Sequence, residues 1–238
     1  MNDTVSKYLQ KHGFERFEPK AVLFDMDGVL YDSMPRHALA WQEAMQRFGL
    51  HMTAHDVYAT EGQRGPDTIR QMTRQQWGRD IGEQEAQRMY EEKSRLFHLM
   101  GEAPIMPGIL DLMETLHEAG LTIGVVTGSG QRPLLNRLLS DFGRFLTSER
   151  IVTAYDVTHG KPHPEPYLKG LDKCGRCEPW EGMVVENAPL GVRAAVSARI
   201  FTIGVNTGAL PISALADEGA SIVCGNMFEA RLACLDIL

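Results

Sequence analysis

"KAVLFDMDG", residues 20–28, is a short apolar run that stops abruptly at two acids and a glycine. That stop puts Asp25 and Asp27 at the carboxyl end of a strand. The same shape recurs in "LTIGVVTGSG" (121–130) and "GMVVENA" (182–188), and more weakly in "IFTIGVNTG" (200–208). Helix-type patterning lies between the runs, as in "PGILDLMETLHEAG" before the second and "LGVRAAVSA" after the third. Continuous apolar strands alternating with helices predict an α/β fold with a mainly parallel sheet covered on both faces. In such sheets ligands bind at the carboxyl ends of the strands, where these polar residues collect.

Residues 33–101 read differently. "HALAWQEAMQRFGL", "PDTIRQMTRQQWG" and "EQEAQRMYEEKSRLFHLM" have helical spacing and no buried-strand run, so an α-helical cap domain is expected between the first strand and the rest of the sheet. "EAPIMPG" marks the return to the core, which then consists of residues 1–32 and 102–238.

The chain has 238 residues, 43% hydrophobic and 23% charged, the range of an ordinary globular protein. No stretch reaches the roughly 18 apolar residues of a membrane span, and no signal-peptide pattern opens the chain, so a cytoplasmic protein is expected. A monomer acting on a small phosphorylated substrate is the expectation for partners. A net charge of −7 with no basic run argues against nucleic acid and anionic membranes as partners. The cysteine pair Cys174 and Cys177 has the spacing of half a zinc site, but no second pair completes it.

Chemistry enters with residue order. Asp25 and Asp27 can face one crevice only if the strand bends after them, which Gly28 permits. Alone, Asp-x-Asp-Gly reads equally well as a turn. Downstream, however, come Thr127, Gly128 and Ser129 at a second strand end, Lys161 in "HGKPHPEPY", and Glu186 with Asn187 at a third. A hydroxyl and loop amides bind phosphate oxygens, a lysine neutralises charge on a phosphoryl group, and clustered acids hold Mg2+ through oxygen.

In this order the residues resemble the haloacid dehalogenase superfamily, specifically its β-phosphoglucomutase-like subgroup with a helical cap on a Rossmann-like three-layer core. The resemblance rests on "DMDGVLYDS", "VVTGSG", "GKPHPEPYL" and "VVENAPLGVRAA". It implies that Asp25 is the nucleophile and a metal ligand. Asp27 is then the general acid/base whose backbone carbonyl also binds metal. Thr127, Gly128 and Ser129 hold the phosphoryl group, Lys161 bridges nucleophile and phosphate, and Glu186 with Asn187 completes the Mg2+ shell. In the cap, His37 and Lys93 are expected to face the cleft.

Asn187 is neutral where most of that family has Asp, so the implied metal shell lacks one negative charge. Glu61, in the cap loop "ATEGQRGPDT" (59–68), is the acid best placed to supply it. A compact, highly charged substrate would fit such a pocket, and the sequence also resembles subgroup members that hydrolyse inorganic pyrophosphate. In that reading Gln131, His37, Arg64 and Lys93 contact the leaving phosphate. The expectation is therefore a Mg2+-dependent phosphohydrolase with an aspartyl-phosphate intermediate, acting on pyrophosphate. The alternative is a β-phosphoglucomutase or a phosphatase of small sugar phosphates. A receiver-like regulatory module predicts a chain near half this length without a helical insert and is disfavoured, as is a dehalogenase by Asp27 and the Glu186 region.

Overall fold

The computed structural model describes residues 3–129 and 132–238. Six strands form one sheet: β1 (Ala21–Phe24), β2 (Thr122–Val126), β3 (Ile151–Val152), β4 (Gly182–Glu186), β5 (Phe201–Val205) and β6 (Ile222–Cys224). Their order is β3-β2-β1-β4-β5-β6, and every pairing is parallel. The first strand is central, which explains its unbroken apolar character. Val22 and Phe24 enter the larger core on one face, and Ala21 and Leu23 enter the smaller core on the other.

The helices are α1 (Asp3–His12), α2 (Met34–Arg47), α3 (Ala54–Ala59), α4 (Gly65–Trp77), α5 (Glu83–Leu99), α6 (Ile109–Glu118), α7 (Arg132–Phe142), α8 (Glu165–Lys173), α9 (Pro189–Ser197), α10 (Ser213–Ala216) and α11 (Met227–Ile237). Residues from α1, α6, α7 and α11 fill the larger core, and residues from α8 and α9 fill the smaller one. The result is the three-layer α/β arrangement expected. Two edge strands, β3 and β6, have only two and three residues and escape sequence reading. The N-terminal segment is integral: Tyr8 is buried, its hydroxyl donates to Arg199 O at 2.9 Å, and Phe17 lies against Phe201.

Helices α2 to α5 share a hydrophobic cluster of their own, built from Trp41, Met45, Ile69, Met89 and Leu96 among others. The two chain segments joining this bundle to the sheet run side by side. Asp32 N donates to Pro104 O and Met106 N to Leu30 O, each at 2.9 Å. Among the described residues no helix is long and apolar enough to cross a membrane, and all four cysteines are free thiols.

Candidate active site

Register creates the site. Phe24 is aligned with Val125 of β2 and Val185 of β4, so the next residue, Asp25, emerges between Val126 and Glu186. Its amide still donates to Val185 O at 3.1 Å, which fixes the backbone where the side chain leaves the sheet. After it the chain turns through Gly28, whose φ of +80° belongs to glycine. A β-carbon there would lie 2.2 Å from Asn187 Nδ2, so the turn also makes room for the Asn187 side chain.

Lys161 arrives from a loop before α8 and ties three strand ends together. Its Nζ donates to Asp25 Oδ1 at 2.5 Å, to Glu186 Oε1 at 2.7 Å and to Val126 O at 3.2 Å. Glu186 is completely buried, and it also accepts from Tyr167 OH and from Ala188 N, both at 2.9 Å. Tyr167 was not legible as a site residue, although it lies in the same "GKPHPEPYL" string as Lys161. Helix α9 passes so close that a β-carbon on Gly191 would sit 1.6 Å from Glu186 Oε1. Because Glu186 is pinned by three donors it cannot step aside. Gly191→Ala is therefore expected to destabilise the protein by about 1–3 kcal/mol, with loss of activity, as read by urea unfolding and phosphate release.

Asp27 faces the helical insert. Ser33 Oγ donates to Asp27 Oδ1 at 2.6 Å, and His37 Nε2 lies 3.2 Å from the same oxygen. The other ring nitrogen, His37 Nδ1, is 2.6 Å from Lys93 Nζ. An ammonium can only donate, so Nδ1 accepts and Nε2 carries the proton given to Asp27. Burial and the neighbouring Lys93 charge hold the His37 pKa below its usual value, in keeping with a neutral ring. Phe97 stacks on that ring at 4.0 Å, and Trp41, Tyr90 and Phe97 surround the Lys93 ammonium at 5.0–5.8 Å. These aromatics read in sequence only as core positions of helices.

Thr127 is buried, and its Oγ1 accepts from Ser129 N at 3.0 Å. Together with Gly128, these two residues line a cavity of about 100 Å³ that also holds Asp25, Asp27, His37, Glu61 and Lys93. The loop between α3 and α4 rests on Lys161, since a β-carbon on Gly62 would be 3.3 Å from Lys161 Cδ. Glu61 is thereby brought among the core acids. Arg64 is not: it is exposed, pairs with Glu83 at 3.1 Å and Asp67 at 3.9 Å, and lines an adjoining 600 Å³ cavity instead. Glu83 and Asp67 hold its guanidinium away from the acid-lined cavity. Gln131 lies outside the described residues.

The charge balance of the cavity is telling. Three carboxyl groups line it (Asp25, Asp27, Glu61) with one ammonium group, Lys93, and Glu186 and Lys161 are paired in the buried core beside them. Burial, then Glu186 and Asp27, raise Asp25 to about 7 despite Lys161. Burial, then Asp27 and Asp25, raise Glu61 well above the usual carboxylate range. For Asp27 burial is outweighed by His37, Ser33 and Lys93, which hold it at about 2. Asn187 Oδ1 is buried with no hydrogen-bond partner. An anionic excess beside an orphaned carbonyl oxygen is the donor set of a hard divalent cation, so the residues present fit Mg2+.

A family model described as haloacid dehalogenase-like hydrolase matches residues 19–199, the span that carries every one of these groups. The chain belongs to the haloacid dehalogenase-like hydrolases. Within that family it is 33% identical over 195 residues to hexitol phosphatase A of Escherichia coli (strain K12), covering 80% of this chain and 84% of the relative. It is 31% identical over 192 residues to a phosphorylated carbohydrates phosphatase of Thermotoga maritima, covering 77% and 83%. A solved structure described as "Putative beta-phosphoglucomutase from Bacteroides vulgatus" superposes with a TM-score of 0.92 at 44% identity, covering 98% of this chain and 94% of that one. The β-phosphoglucomutase-like resemblance therefore stands, as does membership among haloacid dehalogenase-like phosphatases. Kinship with inorganic pyrophosphatases finds no support in these matches.

Proposed function

We propose that this haloacid dehalogenase-like hydrolase is a Mg2+-dependent phosphohydrolase of small phosphorylated polyols or sugars, with Asp25 as nucleophile. The Lys161 bridge between Asp25 and Glu186, next to the unpartnered Asn187 oxygen, carries the reading. The four helices of residues 33–101 serve as a cap, and the relatives' names supply the substrate class.

The steps follow from the geometry. A carboxylate oxygen of Asp25 attacks phosphorus while the bond to the leaving oxygen breaks. Thr127, the loop at Gly128–Ser129 and Lys161 hold the phosphoryl oxygens. Asp27 gives its proton to the departing oxygen, and the resulting carboxylate then takes a proton from the water that attacks the aspartyl phosphate. Phosphate leaves and both acids return to their starting states. Asp25, the Asp27 carbonyl, Glu186 (directly or through water) and Asn187 would hold Mg2+, which supplies positive charge against the phosphoryl oxygens. Asp27 is ionised in the free site, so the added negative charge of a bound phosphate must raise its pKa before it acts as an acid.

Metal binding should be visible as proton release. Asp25 is raised to about 7, so it carries a proton in the metal-free site at mildly acidic pH and must lose it to bind a cation; Glu61 is raised too, and a cation bound beside it favours its ionised form. Because the folded pKa of Asp25 exceeds the unfolded one, its contribution to metal-free stability is greatest at low pH and is lost as pH rises through about 7. Calorimetry in buffers of different ionisation enthalpy should show protons released on Mg2+ binding near pH 6, with fewer at pH ~8.5. Glu61→Gln should reduce the release near pH 6.

Lys93 gives a second pH signature. Burial lowers its pKa to about 8, against the pull of Glu61 and Asp27. If its charge holds the leaving group, activity declines as pH rises through about 8, and Lys93→Arg shifts that decline upward. A pH–rate profile of the two proteins checks it.

A second reading, inorganic pyrophosphate, is favoured by one observation: Glu61 shares the 100 Å³ cavity with Asp25 and Asp27, which suits a compact substrate bound as its metal complex. A phosphate leaving group also needs less protonation than an alkoxide, so an ionised Asp27 hinders its departure less. Phosphate release from a hexitol phosphate, a hexose 1-phosphate and pyrophosphate, each with Mg2+, separates the cases. Preferred turnover of the hexitol or hexose ester supports the first reading, and preferred turnover of pyrophosphate replaces it with the second. Conversion of β-glucose 1-phosphate to glucose 6-phosphate without phosphate release would overturn hydrolysis itself.

A further inference from the structure

The loop that delivers Lys161 has a second, outward side. Two residues before and two after the lysine stand His159 and His163, and Glu165 opens α8 beside them. His159 Nδ1 lies 2.9 Å from Glu165 Oε2, and His163 Nδ1 lies 4.0 Å from the same oxygen. The two imidazole rings are 4.6 Å apart between centroids. Candidate ligand atoms of all three residues fall within 4.8 Å of one another, the one such group of three His, Cys, Asp or Glu residues found among the described residues.

We propose that His159, His163 and Glu165 form a second metal site, for a borderline divalent transition ion such as Zn2+, Co2+ or Ni2+. Two imidazoles and one carboxylate are the mixed nitrogen–oxygen set these ions prefer, whereas Mg2+ prefers oxygens alone. The site is partly preorganised. Thr158 N and His159 N donate to the two Glu165 oxygens at 2.8 and 3.0 Å, which fixes the carboxylate. Glu165 N in turn donates to His163 Nδ1 at 3.2 Å, so that nitrogen is the unprotonated one, and an ion bound there takes the place of this hydrogen bond. His159 Nδ1 donates a proton to Glu165 Oε2, and the metal ion takes the place of that proton, which passes to solvent. The imidazoles are 61% and 50% exposed, so the ion enters from solvent and keeps open positions for water.

The consequence concerns Lys161. An ion held at 159, 163 and 165 braces both flanks of the lysine that bridges Asp25 and Glu186, without touching the cleft. It acts as a clamp on the loop rather than as a participant in phosphoryl transfer. This holds whichever phosphate is the substrate, because none of the three side chains lines the acid-rich cavity.

The test is a Co2+ titration of the tag-free protein in excess Mg2+, followed by visible absorption. One equivalent should bind saturably with the bands of a low-coordinate nitrogen-bearing site, and Zn2+ should displace it. The His159→Ala/His163→Ala variant should weaken binding by about tenfold or more, while Asp25→Asn leaves it unchanged. Amide exchange of residues 159–164 should slow on adding Zn2+ to the parent and not to the double variant. The proposal fails if no saturable spectrum forms in excess Mg2+. It fails equally if the spectrum survives in the double variant, or if it disappears in Asp25→Asn, which would put the ion among the core acids.

Discussion

Asp25→Asn is expected to lower turnover by about 10⁴-fold or more, with the protein folded and as stable as the parent. The amide cannot form an acyl phosphate, and no other carboxylate stands in its place between the β2 and β4 ends. Stability is spared for a separate reason. Asp25 is a buried acid crowded by Glu186 and Asp27, as its rise to about 7 shows. Removing its charge relieves that repulsion, while Lys161 retains Glu186 at 2.7 Å and Val126 O at 3.2 Å. The metal-free variant at pH ~8 should therefore unfold no earlier than the parent on heating. A steady-state assay and a thermal melt on the same preparation check both halves, and a large drop in the melting temperature would contradict the assigned electrostatics.

Asp27→Asn should behave differently. Substrate binding is retained, because Asp27 is not needed to grip the phosphoryl group, but turnover falls by about 10²–10⁴-fold as the proton donor and acceptor is lost. The two half-reactions suffer unequally. A good leaving group needs little protonation, so aspartyl phosphate still forms from an activated ester, whereas its hydrolysis needs a base for the water. The intermediate should then accumulate. Stopped-flow measurement of leaving-group release should show a burst followed by a slow phase, and a KM near that of the parent.

The fold and much of the site are legible in the sequence, for definite reasons. The central strands β1, β2 and β4 are buried on both faces, so their apolar runs are unbroken and their ends are marked by sharp polar punctuation. That punctuation is the site. Lys161 and Asp25 meet across 136 residues of sequence because the parallel register brings their elements to one edge. The short edge strands β3 and β6 lack enough residues to show a pattern. Arg64 shows the limit for charges. Sequence gives a basic loop residue near the cleft, and only the fold reveals that Glu83 and Asp67 claim it.

Lys93 shows the converse. It follows two acids, Glu91 and Glu92, in a run that reads as a solvated helix face, yet it is buried against Trp41, Tyr90 and Phe97 and reaches His37 instead. Helical periodicity cannot distinguish an aromatic packed in a core from one packed around a cation. Asn187 was legible as a departure from the family pattern, but the fact that its oxygen has no partner is a property of packing alone.

The central claim is a covalent phosphoryl group on Asp25. Rapid acid quench of Asp27→Asn during turnover, followed by mass spectrometry of the peptide spanning residues 21–32, tests it most directly. The account predicts that this peptide carries one added phosphoryl group on Asp25 and that Asp25→Asn never does. Steady phosphate release with an unmodified peptide at every quench time would contradict it.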